Sequence, residues 1–278
     1  MNEILTINWN VDPVIIEGFS LRYYGLLFTG GLVLCAYIIK KLFDKDGISE
    51  DVYWKFVYYC MGGIIIGARL GHCLFYEPEY FLHHPLEIIF PFTFEDGHFV
   101  FTGYLGLASH GGTIGLIIAL FLFGRKTGIS IVKSLDYIAI VAPLGGCFIR
   151  IGNLMNSEII GKSTDMPWAF IFKRVDSVPR HPAQLYEAIA YLLIFFIVGY
   201  IYKTRRKTLK EGFLFGLVLS LIFSFRFFIE FFKERQVEFE DNMFLDMGQL
   251  LSIPFILTGL YFMFIYKNKS RKQTPNKK

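Results

Sequence analysis

The chain has 278 residues, of which 54% are hydrophobic and 18% aromatic, and its formal net charge is +4. A soluble domain is roughly 45–50% apolar, so this composition, with a mean hydropathy of +0.45, excludes an ordinary soluble protein. Most of the positive charge lies in a few short loops, which argues against nucleic-acid binding and indicates membrane topology. The N-terminal MNEILTINWNVDP lacks a basic region followed by an apolar core, so we expect no cleaved signal peptide.

Several apolar runs approach the roughly 20 residues that cross a bilayer core. We predict seven membrane spans, at residues 20–40, 54–75, 103–123, 135–155, 184–202, 212–232 and 247–266. The pattern predicts an all-α integral membrane protein in which one polytopic domain covers residues 1–278.

Basic residues predict the orientation of the spans, because cytoplasmic loops carry an excess of lysine and arginine. The loops after spans 1, 3 and 5 and the C-terminal tail together hold seventeen such residues, and the opposite loops hold six. We therefore expect the N-terminus outside and a basic tail, residues 267–278, in the cytoplasm.

Two longer segments fall on the predicted outer side. Residues 76–102 contain FTFEDGHFVFT, in which Asp96-Gly97 between aromatic and β-branched runs predicts a hairpin or tight turn. Residues 156–183 contain MPWAFIF and are expected to form a small external head with one short strand. Pro182 suits the first turn of the fifth span.

Three arginines stand about 14–15 residues into spans 2, 4 and 6, roughly 21–23 Å from the inner end of each span. They are Arg69, Arg150 and Arg226. A guanidinium at hydrocarbon depth costs about 2.5–3.5 kcal/mol even on lenient insertion scales. Because guanidinium binds phosphate or carboxylate with paired donors, three at one depth predict a buried anion site near the outer headgroups. The alternatives are a snorkelling arginine for Arg69 and a structural ion pair of Arg226 with Glu230.

His110, in the segment ASHGGTIG, reaches a similar depth in span 3. Histidine can accept a proton near neutral pH, and neighbouring cations favour its neutral, basic form. A role in helix packing is the alternative. The glycines after His110 allow either close helix packing or close approach of a ligand.

Several segments then resemble the motifs of the prolipoprotein diacylglyceryl transferase family, bacterial inner-membrane enzymes that lipidate lipoprotein precursors. They are HGGTIG at 110–115, RIGNLMNSEIIG at 150–161, RHPAQLYE at 180–187, FRFFIEFFKE at 225–234 and MGQLLSIP at 247–254. Tyr24-Gly25 and GARLG around Arg69 also match, so the resemblance covers nearly the whole chain in order. Ala108-Ser109 departs from the family, which often has an aromatic residue before the histidine.

The resemblance implies seven transmembrane helices, an outward N-terminus and a periplasmic head. It implies transfer of the diacylglyceryl group of phosphatidylglycerol to the thiol of the lipobox cysteine in a prolipoprotein signal peptide. A thioether forms and glycerol phosphate leaves. No metal and no organic cofactor are implied, and the expected partners are these two substrates and membrane lipid.

The resemblance also assigns roles to individual residues. It implies catalytic roles for His110, Arg150, Arg226 and Tyr24, and phosphatidylglycerol binding by Arg150, Asn153, Arg226, Gly111, Gly112 and Gly161. Supporting roles are implied for Glu158 and Glu230, and we expect them also for Arg69 and Glu187. We expect Arg150 to hold the phosphate, Asn153 to orient the headgroup or Arg150 itself, and Glu158 to hold a positive partner.

The main alternative is a transporter or channel for a small anion. Such a protein would place polar residues along a path through the full membrane, whereas the inner halves of these spans are almost purely apolar. A site on one side favours an enzyme. A scaffold that binds lipid without catalysis is a third possibility.

Overall fold

The computed structural model describes residues 6–16, 21–90, 92–95, 98–101, 106, 108–234 and 244–267. The predicted basic tail lies outside the described residues except for Lys267. The chain divides into two compact units, the first formed by Met1–Ile39 with Leu135–Lys278 and the second by Lys40–Ser134. Each unit is described by itself.

The structure is mostly helical. The helices are α1 (Tyr23–Lys45), α2 (Glu50–Phe75), α3 (Pro78–His83), α4 (Leu86–Ile89), α5 (Ser109–Thr127), α6 (Ile131–Met155), α7 (Ala183–Arg205), α8 (Phe213–Ile229) and α9 (Met247–Leu260). A 3-10 turn, Glu230–Phe232, follows α8, and a π-helical turn, Tyr261–Ile265, continues α9. The strands are β1 (Ile7–Trp9), β2 (Phe92–Glu95), β3 (His98–Phe101), β4 (Phe170–Phe172) and β5 (Pro179–Arg180).

Six of these helices are long and apolar enough to cross a membrane: α1, α2, α6, α7, α8 with its 3-10 turn, and α9 with its π-helical turn. The remaining predicted span, 103–123, falls on α5, whose 19 residues include Ser109 and His110 at one end and Arg125 and Lys126 at the other. These polar ends lower its hydropathy. The described residues therefore contain six candidate membrane helices, and a seventh span stays a prediction.

In the second unit, glycines set how closely α2 and α5 approach. A Cβ atom added to Gly63 would lie 2.6 Å from the carbonyl oxygen of Gly115, and one added to Gly67 would lie 2.8 Å from the Gly115 Cα. Any side chain at these positions would force the helices apart. Backbone contact of this kind is typical of membrane helices, which have no hydrophobic drive to associate in lipid.

The same unit contains the predicted hairpin. Strands β2 and β3 pair antiparallel, with Glu95 opposite His98. This register leaves two residues for the turn, and the pairing confirms the hairpin. Asp96 and Gly97 themselves lie outside the described residues.

In the first unit, a small sheet has the strand order β1-β4-β5. The predicted strand in MPWAFIF is confirmed as β4, but its parallel partner β1 comes from the N-terminal segment, with Ile7 opposite Phe170. Leu154 and the β4 phenylalanines form a small core beneath the sheet, and Trp9 packs against it. The Trp9 indole N–H also donates to the Leu154 carbonyl at 3.0 Å, so the sheet is fixed to the end of α6.

Candidate active site

Arg150 lies near the end of α6, where its guanidinium meets a carboxylate from α7. Its Nε is 3.1 Å from Oε2 of Glu187, and the two side chains are 13% and 0% exposed. Nη1 donates to Oδ1 of Asn153 at 3.2 Å, since a residue three positions further lies on the same helix face. A buried carboxylate and an amide thus fix the direction of this guanidinium.

The loop after α6 has a strained backbone. Ser157 and Ile159 both have φ of 55°, and a β-branched residue in this left-handed region costs about 1–3 kcal/mol. Glu158 between them offsets the strain through hydrogen bonds. Its Oε2 accepts from the Asn153 amide at 3.2 Å, and its backbone carbonyl accepts from the buried amide of Gln184.

The part of the chain that the structure describes therefore does not show the positive partner expected for Glu158. Its other oxygen, Oε1, accepts from the Asn156 amide at 3.0 Å, and within the described residues Glu158 forms no ion pair. The reason is local: the left-handed turn directs the exposed carboxylate back onto the last turn of α6. Through Asn153, Glu158 helps to orient Arg150.

Gly161 joins this loop to two other segments. Its N–H donates to the His181 carbonyl at 3.0 Å, and it forms an antiparallel bridge with Lys233. An added Cβ would lie 2.6 Å from the His181 Cβ and 2.8 Å from the Phe232 carbonyl oxygen. Close backbone packing thus accounts for a glycine here, and its predicted contact with lipid stays a prediction.

The segment after α8 adds a buried cation. Lys233 is 6% exposed, and its Nζ lies 3.2 Å from Glu187 Oε1 and 3.1 Å from Glu230 Oε2. Arg226 Nη2 lies 3.9 Å from Glu230 Oε1. Arg150, Glu187, Lys233, Glu230 and Arg226 therefore form one line of alternating charge, which we call the charge chain.

Lys233 is the buried charged residue of this site that the sequence analysis left without a role. The sequence FRFFIEFFKE places Lys233 three residues after Glu230. A lysine near the end of a span is, however, typical of a solvated or snorkelling side chain. Gly248 of α9 was also unassigned. A Cβ there would lie 2.5 Å from Glu230 Cδ, so the glycine makes room for that carboxylate.

Two tyrosines complete the surroundings of the charge chain. The Tyr24 ring of α1 packs against Gly152 of α6, where an added Cβ would lie 2.7 Å from ring atom Cδ2. The buried Tyr191 hydroxyl lies 3.5 Å from Glu187 Oε1 and interacts with the Arg150 guanidinium. Both rings limit the positions that α6 side chains can take.

A second ionic group holds the segment before α7. The Arg180 guanidinium lies 2.6 Å from Asp176 Oδ2 and 2.5 Å from Glu234 Oε2, and its hydrogen bonds hold the pKa of Asp176 below the usual value. Burial lowers the pKa of His181 below its usual 6.5. His181 Nδ1 lies 3.1 Å from the hydroxyl of Tyr186.

Arg69 and His110 lie in the second unit. Arg69 is 8% exposed, and its guanidinium donates to the carbonyl oxygens of Glu87 at 2.5 Å and Ile88 at 3.2 Å. It also lies 4.8 Å from the ring centroid of Phe81. Arg69 thus ties α2 to α3 and α4, and its supporting role in catalysis stays a prediction.

His110 is exposed in the first turn of α5. Gly111 beside it packs on α2, where an added Cβ would lie 2.8 Å from the Gly71 Cα. A Cβ added to Gly112 would lie 3.4 Å from the Ala68 Cβ, an ordinary contact distance. Helix packing therefore accounts for Gly111, and the predicted lipid binding by these two glycines stays a prediction.

In the described part of the chain, no group of three or more histidine, cysteine, aspartate or glutamate side chains could hold a metal ion. The first unit instead offers buried ammonium, carboxylate and amide groups beside two partly exposed guanidinium groups. This arrangement is suited to binding an anion and to stabilising negative charge that develops during a reaction.

Comparison with known proteins covers nearly the whole chain. The profile of the prolipoprotein diacylglyceryl transferase family matches residues 13–265. The phosphatidylglycerol–prolipoprotein diacylglyceryl transferase of Bacteroides fragilis is 54% identical over 275 residues, covering 98% of this chain and 99% of the relative. The enzymes of the same name from Tolumonas auensis and Chloroherpeton thalassium are each 42% identical, covering 95% and 92% of this chain and 99% and 92% of their own lengths.

Six apolar helices and bacterial relatives indicate a multi-pass inner-membrane protein. The order of the motifs, the charge chain and the matches over almost the full length lead to one assignment. The chain belongs to the prolipoprotein diacylglyceryl transferase family.

Proposed function

We propose that this protein transfers the diacylglyceryl group of phosphatidylglycerol to the thiol of a lipobox cysteine in a prolipoprotein. The names of relatives that are 42–54% identical support this activity. The structural observation that carries the proposal is Arg150, whose side chain is only 13% exposed and is oriented by Glu187 and Asn153. The alternative of an anion transporter is not favoured by the comparisons.

Phosphate binding is the role we assign to the two arginines of the charge chain. Arg150 is 13% exposed and Arg226 is 33% exposed, so the second guanidinium is the more accessible to a headgroup. At 3.9 Å its contact with Glu230 is long, which leaves its donors available for phosphate oxygens. A guanidinium can present two parallel donors to one phosphate.

The reaction exchanges a C–O bond for a C–S bond. The thiolate attacks the glycerol carbon that carries the phosphate ester, and the pair of electrons in the C–O bond leaves with glycerol phosphate. The phosphodiester has one negative charge, and the leaving monoester gains a second. Arginines that bind the phosphate therefore interact more strongly with the transition state than with the ground state, which accelerates the step.

The thiol must lose its proton before it attacks. A free cysteine has a pKa near 8.5, so only a minor fraction is thiolate at neutral pH. We assign the proton acceptor to His110, because histidine is basic near neutral pH and this side chain is exposed at the start of α5. Tyr24 is proposed as a further catalytic residue, supported by its packing on the helix that carries Arg150.

The finer topology is also a proposal. We infer seven spans with α5 as the additional one, an external N-terminus, a periplasmic head over residues 156–183 and a cytoplasmic tail. The excess of basic residues in alternate loops supports this orientation. A reporter fused after Lys207 should be cytoplasmic, and a periplasmic reporter would refute the orientation.

The activity is tested with purified protein, vesicles that contain phosphatidylglycerol and a synthetic lipobox peptide. The expected product is a peptide whose mass has increased by one diacylglyceryl group, together with released glycerol phosphate. A peptide with serine in place of cysteine is the matched control. Failure of the cysteine peptide to gain mass, with the protein shown to be folded, would refute the proposed function.

A further inference from the structure

Lys233 shares two carboxylates with two arginines in a regular way. Its ammonium group lies near Oε1 of Glu187 and Oε2 of Glu230, at 3.2 and 3.1 Å. The opposite oxygen of each carboxylate faces an arginine: Glu187 Oε2 faces Arg150, and Glu230 Oε1 faces Arg226. Each glutamate thus divides its two oxygens between the lysine and one arginine.

The count of charges in the charge chain follows from these contacts. Three cations and two anions leave one net positive charge. Among the described residues, Glu158 is linked to the charge chain through the neutral amide of Asn153. Since Lys233, Glu187 and Glu230 are at most 13% exposed, water and salt screen this excess charge weakly.

We propose that Lys233 is a positioning residue that sets the charge of the phosphate site. By holding one oxygen of each glutamate, it prevents the carboxylates from neutralising the two arginines. One positive charge then remains for the phosphodiester of the lipid, which carries one negative charge. The inference rests on the proposed function, because it assigns the affinity for the donor lipid to the charge balance around Lys233.

The substitution Lys233→Met removes the ammonium and makes the charge chain neutral. Of the cations in the charge chain, only the arginines then remain to pair with Glu187 and Glu230, and Arg226, the more exposed of the two, pairs more closely with Glu230. We expect the KM for phosphatidylglycerol to rise about tenfold, equivalent to about 1.4 kcal/mol. We expect kcat to change less, because both arginines are still present.

A second substitution separates charge from packing. Lys233→Met combined with Glu230→Gln restores one net positive charge with fewer buried ions. If the charge balance matters, this double variant should recover a KM within about threefold of the wild type, less than the 1.4 kcal/mol that a tenfold change represents. Lys233→Arg keeps the charge and should also retain the wild-type KM. If Lys233 only stabilises the fold, the KM for phosphatidylglycerol should not depend on the net charge of the charge chain.

The experiment measures KM for phosphatidylglycerol, kcat for lipobox-peptide lipidation and the melting temperature. It uses the wild type, the three variants and Lys173→Met, which changes an exposed lysine of the same unit. If the wild type does not transfer lipid, the proposed function fails. If it does, a wild-type KM in Lys233→Met overturns the inference, and so does a double variant whose KM stays about tenfold raised. If Lys233→Met does not fold, the KM of the double variant decides alone: a value within about threefold of the wild type supports the inference, and a value about tenfold higher overturns it.

Discussion

The substitution Arg150→Lys keeps the positive charge but removes the planar guanidinium. In the wild type, Nε pairs with Glu187 at 3.1 Å while Nη1 donates to Asn153 at 3.2 Å. A single ammonium at the end of a flexible chain cannot hold both partners and also present two donors to a phosphate. The change therefore tests whether geometry or charge alone makes Arg150 effective.

The expected size follows from the contacts that are lost. One hydrogen bond to a charged group contributes about 1.5–3 kcal/mol. If the lysine keeps its pair with Glu187, it loses either Asn153 or the second donor to the phosphate. A loss of that size in the transition state lowers kcat/KM about 10- to 150-fold, at about 1.4 kcal/mol per factor of ten.

The assay is lipidation of a lipobox peptide in vesicles that contain phosphatidylglycerol, with the melting temperature measured in parallel. Arg174→Lys is the matched control, because Arg174 is 43% exposed and its contact with Asp12 is long, at 3.9 Å. Its activity should equal that of the wild type. Wild-type activity in Arg150→Lys would refute paired binding of the phosphate by this guanidinium. Lost activity together with a melting temperature well below that of the wild type would point to a structural role.

The remaining predictions concern the proton acceptor, the Arg226 contact and pH. His110→Gln should lower peptide lipidation about 10²-fold or more, the scale of a lost general base, and a near-wild-type rate from about pH 6 to pH 9 would refute the assignment. Arg226→Ala should fold but transfer little lipid, and Arg226→Ala with Glu230→Ala should not restore activity, whereas a structural ion pair predicts partial rescue of folding and function. Because burial lowers the pKa of His181 below 6.5, the unfolded chain takes up this proton first, so stability should fall as the pH drops below that value. His181→Gln should make the loss of melting temperature between about pH 7.5 and pH 5.5 smaller, and an unchanged slope would contradict this reasoning.

Much of the helical architecture could be predicted from the sequence, because apolar runs of spanning length have few other stable arrangements in lipid. Six of the seven predicted spans coincide with candidate membrane helices. Local chemistry also predicted the β2–β3 hairpin and the start of α7 after Pro182. Arg150 and Arg226 could be singled out because a guanidinium in an apolar run is costly.

Pairings between distant residues could not be predicted in the same way. Strand β1 pairs with β4 across about 160 residues, and a three-residue strand carries too little sequence signal to indicate its partner. Glu158 was expected to meet a cation, but the left-handed backbone at Ser157 and Ile159 turns it towards two asparagines. Arg69 was read as part of an anion site, and its donors are directed at backbone carbonyls.

The sequence by itself determined that the chain is a membrane protein of this family and that its arginines need an anionic partner. Composition, the period of apolar runs and the spacing within each motif are local properties, and local properties are sufficient for those conclusions. Only the tertiary structure decided that Lys233 lies between Glu187 and Glu230 and joins Arg150 to Arg226. The physical reason is that the interaction energy of a charged group depends on its burial and on neighbouring groups from other helices. Both are set by how the chain packs.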